Sequence, residues 1–409
     1  MIKTDQKGSE NMIAKRPPMG WNSWNTFGKD INETLVFEIA DIMVKEGYLE
    51  KGYEYLVIDD CWALKERDAE GNLVPDPEKF PHGMKYVADY VHNAGLKIGI
   101  YSCAGILTCA GYPSSYDHEY EDARLFASWG IDFLKYDFCN FPQNADCKTR
   151  YLTMSMALKA TGREILFSAC NWGREESWSW MRSIGAHMYR STGDIFDNYR
   201  SFINIFQSQV EHLCQSGPYC FNDLDMLTVG MYNQGNVAVG KPCTENEYRM
   251  QFTLWCLAGT PLFIGADLRS ICPKLKDMLQ NKALLEIDQD EESRPPYLVS
   301  KRSVHVPVSD EERKTAIEPL KRIGGQLLTF LKILSDFEFV IAYYNLHTDE
   351  HEILCSFADA GIPLASGYGL SMTDVFTGEN IGVVNDYHKV SVPGHDCRLY
   401  RCKMVKINA

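Results

Sequence analysis

The sequence predicts a (β/α)₈ TIM barrel followed by a C-terminal antiparallel β domain. Three observations carry this: eight short apolar runs rich in β-branched and aromatic residues, amphipathic stretches between them, and a change of pattern after residue 290. The runs fall at 19–21, 53–60, 96–102, 133–137, 165–170, 188–194, 219–226 and 261–267. Helical stretches fit at 33–46, 84–94, 119–129, 148–161 and 245–258. An open doubly wound sheet shares this alternation. However, no GxGxxG or GxxxxGK[ST] follows any run, which removes its usual nucleotide-binding forms.

After Asp288-Gln289-Asp290 an Arg-Pro-Pro run and mixed charges break the rhythm. Strand-like runs then return at 337–344, 352–357, 371–376 and 389–392, separated by turn residues. The predicted organisation is an N-terminal extension (1–16), a catalytic barrel (17–292), a linker or irregular start of the second domain (293–325) and the antiparallel β domain (326–409). With 409 residues, 45% of them apolar, the chain is long enough for both cores.

Formal charge, from 41 basic and 55 acidic residues, is −14, which disfavours nucleic acid and anionic membranes as partners and favours a small neutral ligand. No apolar run approaches the roughly 20 residues that cross a bilayer. The amino terminus lacks the apolar segment of a signal peptide, and the fourteen cysteines are scattered without metal-like spacing. A cytoplasmic, bacterial protein is the expectation, and a homo-oligomer is compatible with it.

Polar residues cluster at the carboxyl ends of the runs: Asp59 and Asp60 in VIDDCW, Lys135 and Asp137 in LKYDFC, Arg190 and Asp194 in YRSTGD, Asp223 and Asp225 in FNDLDM, and Asp267 in GADL. In a barrel these ends open onto one face, where active sites form. An aspartate at a strand end often serves only a turn or a helix cap, and that reading is preferred for Asp223 and Asp267. It does not explain Lys135 and Arg190. Lys135 and Asp137, two apart, share a strand face, and Arg190 and Asp194, four apart, are expected to do the same. Two carboxylates flanking a small neutral ligand are what glycoside hydrolysis requires. Trp21, Trp24, Trp62, Tyr101 and Trp172 near the expected mouth suit the apolar face of a sugar, although each taken alone reads as core packing.

The segments PPMGWNSW, VIDDCW, KIGIYSCAG, FLKYDFC, FSACNWG, YRSTGDI, CFNDLDML and GTPLFIGADLR, in this order, resemble the melibiase family of retaining α-galactosidases and α-N-acetylgalactosaminidases. The resemblance implies Asp137 as nucleophile and Asp194 as general acid/base of a double displacement, with the two carboxyl groups about 5–5.5 Å apart. It implies Asp59 and Asp60 at the galactose O4 and O6 hydroxyls, Lys135 at the ring hydroxyls and Arg190 at the 2-position. Trp24, Tyr101 and Trp172 would line the pocket, Asp225 and Met226 would close it, and Cys109 and Asn171 would border it. Cys109 and Cys139 match a pair that is disulfide-bonded in secreted relatives.

Lys135 is expected to keep Asp137 ionised, whereas Asp194 needs its proton. The resemblance implies no metal and no organic cofactor. Some members carry Glu where this chain has Asn171, and the acetamido-accepting members use small residues in the strand-five loop. CNWGREE lacks these, which favours an α-galactoside substrate over α-N-acetylgalactosaminide, and the intact Asp59-Asp60 pair favours it over β-L-arabinopyranoside. Transglycosylation and a non-hydrolytic galactoside-binding protein are the remaining alternatives.

Overall fold

The computed structural model describes residues 13–306, 322–363 and 366–407; most of the expected N-terminal extension and the middle of the expected linker lie outside these. The chain divides into two compact units, Met1–Cys243 with Gly259–Gln280, and Thr244–Ala258 with Asn281–Ala409.

In the first unit the eight strands are β1 (Met19–Asn22), β2 (Tyr55–Val57), β3 (Lys97–Cys103), β4 (Phe133–Asp137), β5 (Leu166–Cys170), β6 (Met188–Arg190), β7 (Phe221–Asp223) and β8 (Leu262–Ile264). All are parallel, in the order β7-β6-β5-β4-β3-β2-β1-β8. The sheet closes just past β7, where Leu227 bridges in parallel to Ile264. Its N–H donates to Phe263 at 2.7 Å, and its carbonyl accepts from Gly265 at 2.9 Å. Inward side chains of alternate positions fill the closed sheet: Tyr55, Val57, Phe133, Leu166, Met188, Met226 and Phe263 form one buried cluster. The barrel is therefore plugged, and only its carboxyl-terminal mouth is free for chemistry.

The helices of this unit are α1 (Trp24–Phe27), α2 (Glu33–Lys45), α3 (Gly83–Asn93), α4 (Glu119–Trp129), α5 (Cys147–Ala160), α6 (Tyr199–Gln209) and, beyond β8, α8 (Pro273–Leu279). Short polar residues start them: Asn32, Asp146 and Asn198 accept from the N–H groups of Leu35, Thr149 and Ser201 at 2.7–2.9 Å. Helix α6 was not anticipated, although Phe202, Ile203, Ile205 and Phe206 form its buried stripe.

The second unit contains α7 (Glu245–Ala258), α9 (Lys282–Asp288) and strands β9 (Tyr297–Val306), β10 (Arg322–Ile333), β11 (Glu338–Asn345), β12 (His351–Ser356), β13 (Tyr368–Asp374), β14 (Asn380–Val384), β15 (Tyr387–Val392) and β16 (Asp396–Lys406). Six make an antiparallel sheet in the order β14-β13-β16-β11-β10-β9, and β12 pairs with β15. The described parts of 293–325 thus include strand β9 and the start of β10. Leu327, Ile341, Tyr343, Leu370, Met372 and Cys402 lie at the core of this unit.

One ion pair holds the loops that shape the mouth. Arg67, in the β2–α3 loop, donates through both terminal nitrogens to the fully buried Asp122 of α4 at 2.7 Å. It also donates to the carbonyls of Gly71 and Ser114. Removing one partner of such a pair strands the other charge. Asp122→Ala is therefore expected to destabilise the first unit by about 3 kcal/mol, read as a lowered urea midpoint. An unchanged midpoint would show that the pair does not hold these loops.

Candidate active site

Strand β2 ends in two aspartates folded back onto their own backbone. Asp59 Oδ1 accepts from Asp60 N–H at 2.9 Å and Asp60 Oδ1 from Cys61 N–H at 2.7 Å. The turn ends at Cys61, held at a positive φ of 73°. The remaining oxygens face other strands. Asp59 Oδ2 accepts from Lys135 Nζ of β4 at 2.7 Å and from Asn22 Nδ2 of β1 at 2.8 Å, while Asp60 Oδ2 accepts from Ala110 N–H at 3.0 Å.

Asp137 closes β4. Tyr101, on neighbouring β3, donates its hydroxyl to Oδ2 at 3.0 Å, and Phe138 N–H donates to Oδ1 at 2.8 Å. The carboxylate is thus fixed in orientation, and only 6% of the residue is exposed. Burial dominates its titration and pushes the pKa up to about 6, against the opposing pull of Lys135. Lys135 thus acts in the expected direction, toward the ionised form, but does so from a distance. The ammonium makes its contact with Asp59 instead, and its own pKa is raised because Asp59 and Asp137 outweigh its burial.

The expectation for strand six is corrected. Strand β6 stops at Arg190, and Asp194 lies on the loop beyond it, so their contact is not that of two residues on one strand face. Arg190 Nη2 nevertheless reaches Asp194 Oδ1 at 3.0 Å, together with Asp225 Oδ2 at 2.9 Å. Burial acts to raise the Asp194 pKa, but Arg190 and then Lys135 overcome it and lower it. In the free protein the proton therefore favours Asp137 over Asp194, the reverse of the order expected from sequence.

Asp225 takes a positive φ of 77° and accepts from Met226 N–H through Oδ1, and from Ile195 N–H through Oδ2 at 2.8 Å. Asp223 Oδ1 accepts from Asp225 N–H at 2.9 Å, the local turn expected of it. It also lines the same interior cavity as Asn22, Lys135, Arg190 and Asp225. Burial raises its pKa to about 6. Asp267 takes no part; it is paired with Arg269 at 2.8 Å.

The five expected aromatics separate into two groups. Trp21 and Trp62 are core residues whose indole N–H groups donate to the carbonyls of Ala266 and Tyr101 at 2.9 Å. Tyr101 touches the site carboxylate, Trp24 packs half-buried against the barrel cluster, and Trp172 lies edge-on to Phe138 with ring centroids 6.0 Å apart. Asn171 is fully buried; its Nδ2 donates to Arg174 carbonyl at 2.8 Å and its Oδ1 has no partner. Met226 belongs to the barrel cluster.

Cys109 and Cys139 are bonded, with Cα atoms 5.0 Å apart, which ties the β3–α4 loop to the end of β4. Among the described residues these two and Asp137 form the one grouping of metal-ligand type. Both sulfurs are committed to each other, so the carboxylate alone remains as a donor. Two contributors were absent from the expected set, Asn22 and Asp223. Asn22 stands two residues from Gly20 on β1, and the two-residue period was the signal for it.

A family model described as Alpha galactosidase A matches residues 16–290. An α-galactosidase of Cyamopsis tetragonoloba is 38% identical over 96% of this chain and 87% of its own length. An α-N-acetylgalactosaminidase of Gallus gallus is 35% identical over 91% and 89%. The crystal structure of α-galactosidase I from Mortierella vinacea superposes with a TM-score of 0.84 at 30% identity, covering 98% of this chain and 100% of that one. With its eight-stranded barrel and its ring of strand-end carboxylates, this chain belongs to the melibiase family of α-galactosidases.

Proposed function

We propose that this chain releases terminal α-linked D-galactose from oligosaccharides or glycoconjugates by double displacement, with Asp137 as nucleophile and Asp194 as acid/base. The observation that carries the assignment is the immobilised, buried carboxylate of Asp137 beside the Asp59–Lys135 pair, with a more exposed carboxylate across the mouth on the Asp194 loop. Asp137 attacks the anomeric carbon as the bond to the leaving oxygen breaks and that oxygen takes the proton of Asp194. Water then gives a proton to Asp194 and its oxygen to the anomeric carbon, freeing Asp137 and galactose of retained configuration. Asp59, Asp60, Lys135 and Arg190 bind the ring hydroxyls, with Trp24, Tyr101, Trp172, Asn171, Cys109, Asp225 and Met226 around them.

The proton order of the free protein gives substrate a second task. The Asp194 side chain is 64% exposed. A sugar seated over it removes water from the carboxylate, which favours the protonated form against the pull of Arg190. Preference for galactose over its 2-acetamido analogue rests on the strand-five loop. Gly173 there leaves no room for even a Cβ, which would lie 2.1 Å from the Ser191 carbonyl. The loop therefore backs directly onto the Arg190 segment.

Four outcomes are expected. A 2-fluoro-galactosyl inactivator labels the peptide that contains Asp137, as peptide mass mapping would show; a label elsewhere refutes the nucleophile. Asp194→Ala lowers kcat/KM by about 10²–10⁴ for sugar leaving groups and far less for a dinitrophenyl galactoside; equal losses would contradict its role as acid. With the dinitrophenyl substrate, which needs no acid, activity is lost as pH falls through about 6, where Asp137 takes up a proton. Tyr101→Phe removes a donor to the ionised carboxylate and so raises that pKa. It should move the limb upward by about one pH unit, and a downward shift would refute the assignment.

A further inference from the structure

The end of β4 is held on its two sides by different means. Toward β3 the residue pairing runs on to Cys103–Asp137, whereas toward β5 it stops one step earlier, at Tyr136–Ala169. Beyond that step the hydroxyl of Tyr151, from helix α5, bridges the two strands. It approaches the carbonyls of Cys170 at 2.9 Å, Asp137 at 3.1 Å and Tyr136 at 3.3 Å, and its one proton is shared among them. We propose that Tyr151 is a positioning residue for the nucleophile: by holding the Asp137 carbonyl it sets the peptide group whose N–H aims the Asp137 carboxylate. This role presupposes Asp137 as the nucleophile.

The peptide group between Asp137 and Phe138 is used at both ends. Its N–H donates to Asp137 Oδ1 at 2.8 Å. Its oxygen accepts from Tyr151 on the β5 side and from Ala104 N–H on the β3 side, the latter at 2.8 Å. Because the group is planar, a tilt of the carbonyl turns the N–H with it and carries the carboxylate along. Without the Tyr151 hydroxyl the pull of Ala104 toward β3 is no longer opposed, and Oδ1 loses its alignment. Tyr151 is suited to this task because its ring is fixed. The residue is completely buried, and the rings of Tyr136, Trp180 and Phe167 stand around it at centroid distances of 5.4, 6.1 and 6.3 Å. Burial also pushes the Tyr151 hydroxyl well above the usual tyrosine range, so that it stays a donor at every working pH. Tyr136 supplies a contrast within the same aromatic cluster. Its hydroxyl is equally buried and has no hydrogen-bond partner among the described residues.

The test compares Tyr151→Phe, which keeps the ring and removes only the hydroxyl, with Tyr136→Phe, which removes a hydroxyl from the same cluster without breaking a bond to the strands. Inactivation by a dinitrophenyl 2-fluoro-galactoside needs no acid and reports attack by the nucleophile. Its rate constant at saturation is expected to fall about tenfold in Tyr151→Phe and to be unchanged in Tyr136→Phe. In Tyr151→Phe the acidic limb of dinitrophenyl galactoside hydrolysis moves to higher pH, because a misaligned N–H stabilises the ionised carboxylate less. The inhibition constant of galactose, which probes the assembled pocket, stays at the wild-type value. An unchanged inactivation rate or an unmoved limb in Tyr151→Phe, an equal loss in Tyr136→Phe, or a parallel loss of galactose affinity would overturn the positioning role. If the reagent labels a carboxylate other than Asp137, the nucleophile assignment fails instead, whatever Tyr151→Phe does.

Discussion

Two buried cations serve a larger set of buried carboxylates at the mouth of this barrel, and most of the site's properties follow from that shortage. Asp59, Asp60, Asp137, Asp223 and Asp225 are all at most 8% exposed. Lys135 contacts Asp59, and Arg190 is divided between Asp225 and Asp194. An ion pair at contact distance is worth about 4 kcal/mol at an effective dielectric of 20, similar to the several kcal/mol that burying one ion costs. A cation can thus compensate the carboxylate it touches, but little beyond it. Among the described residues Asp60, Asp137 and Asp223 touch no cation, and burial raises all three, Asp137 and Asp223 to about 6. Burial raises Asp225 despite its contact with the shared Arg190, and the Asp194 charge adds to the rise.

The same shortage explains why Asp137, the proposed nucleophile, is held by neutral donors. The Tyr101 hydroxyl and the Phe138 N–H fix both oxygens of Asp137 without supplying a full charge. A directly paired lysine would lower its pKa further and, by stabilising the carboxylate, make it a poorer nucleophile. Placing Lys135 on Asp59 leaves a cation in the pocket for hydroxyl binding while sparing Asp137.

Much of this was legible in the sequence because a strand has a period of two and barrel strands are parallel. Those two facts bring Asp59, Asp60, Lys135 and Asp137 to one mouth without any structure. What was not legible depends on burial and on loop geometry. The order of the two pKa values inverts because desolvation of Asp137 outweighs a lysine two residues away, and no sequence spacing reports desolvation. Trp21 and Trp62 look like their pocket neighbours in sequence, yet their indole N–H groups meet backbone carbonyls in the core. Strand β9, which follows Arg-Pro-Pro and carries the adjacent Lys301 and Arg302, reads as linker until its partner β10 is in place.

The Asp194 loop places an exposed carboxylate between fixed anchors. Asp225 Oδ2 accepts from both the Arg190 guanidinium and the Ile195 N–H, so one oxygen holds the residue before the loop and the residue after it. Behind it, Ser191 Oγ donates to Asn222 Oδ1, and Asn222 Nδ2 donates to Gln209 Oε1 of α6 at 3.2 Å. The ends are therefore fastened to β7 and α6 while Asp194 itself is exposed between them. A sugar that draws Arg190 toward its own hydroxyls weakens its contacts with both Asp194 and Asp225. The Ile195 and Ser191 anchors remain, so Asp194 can gain its proton without leaving its place over the leaving oxygen. With the roles proposed for them, Arg190 would couple occupancy of the 2-position to the acidity of Asp194.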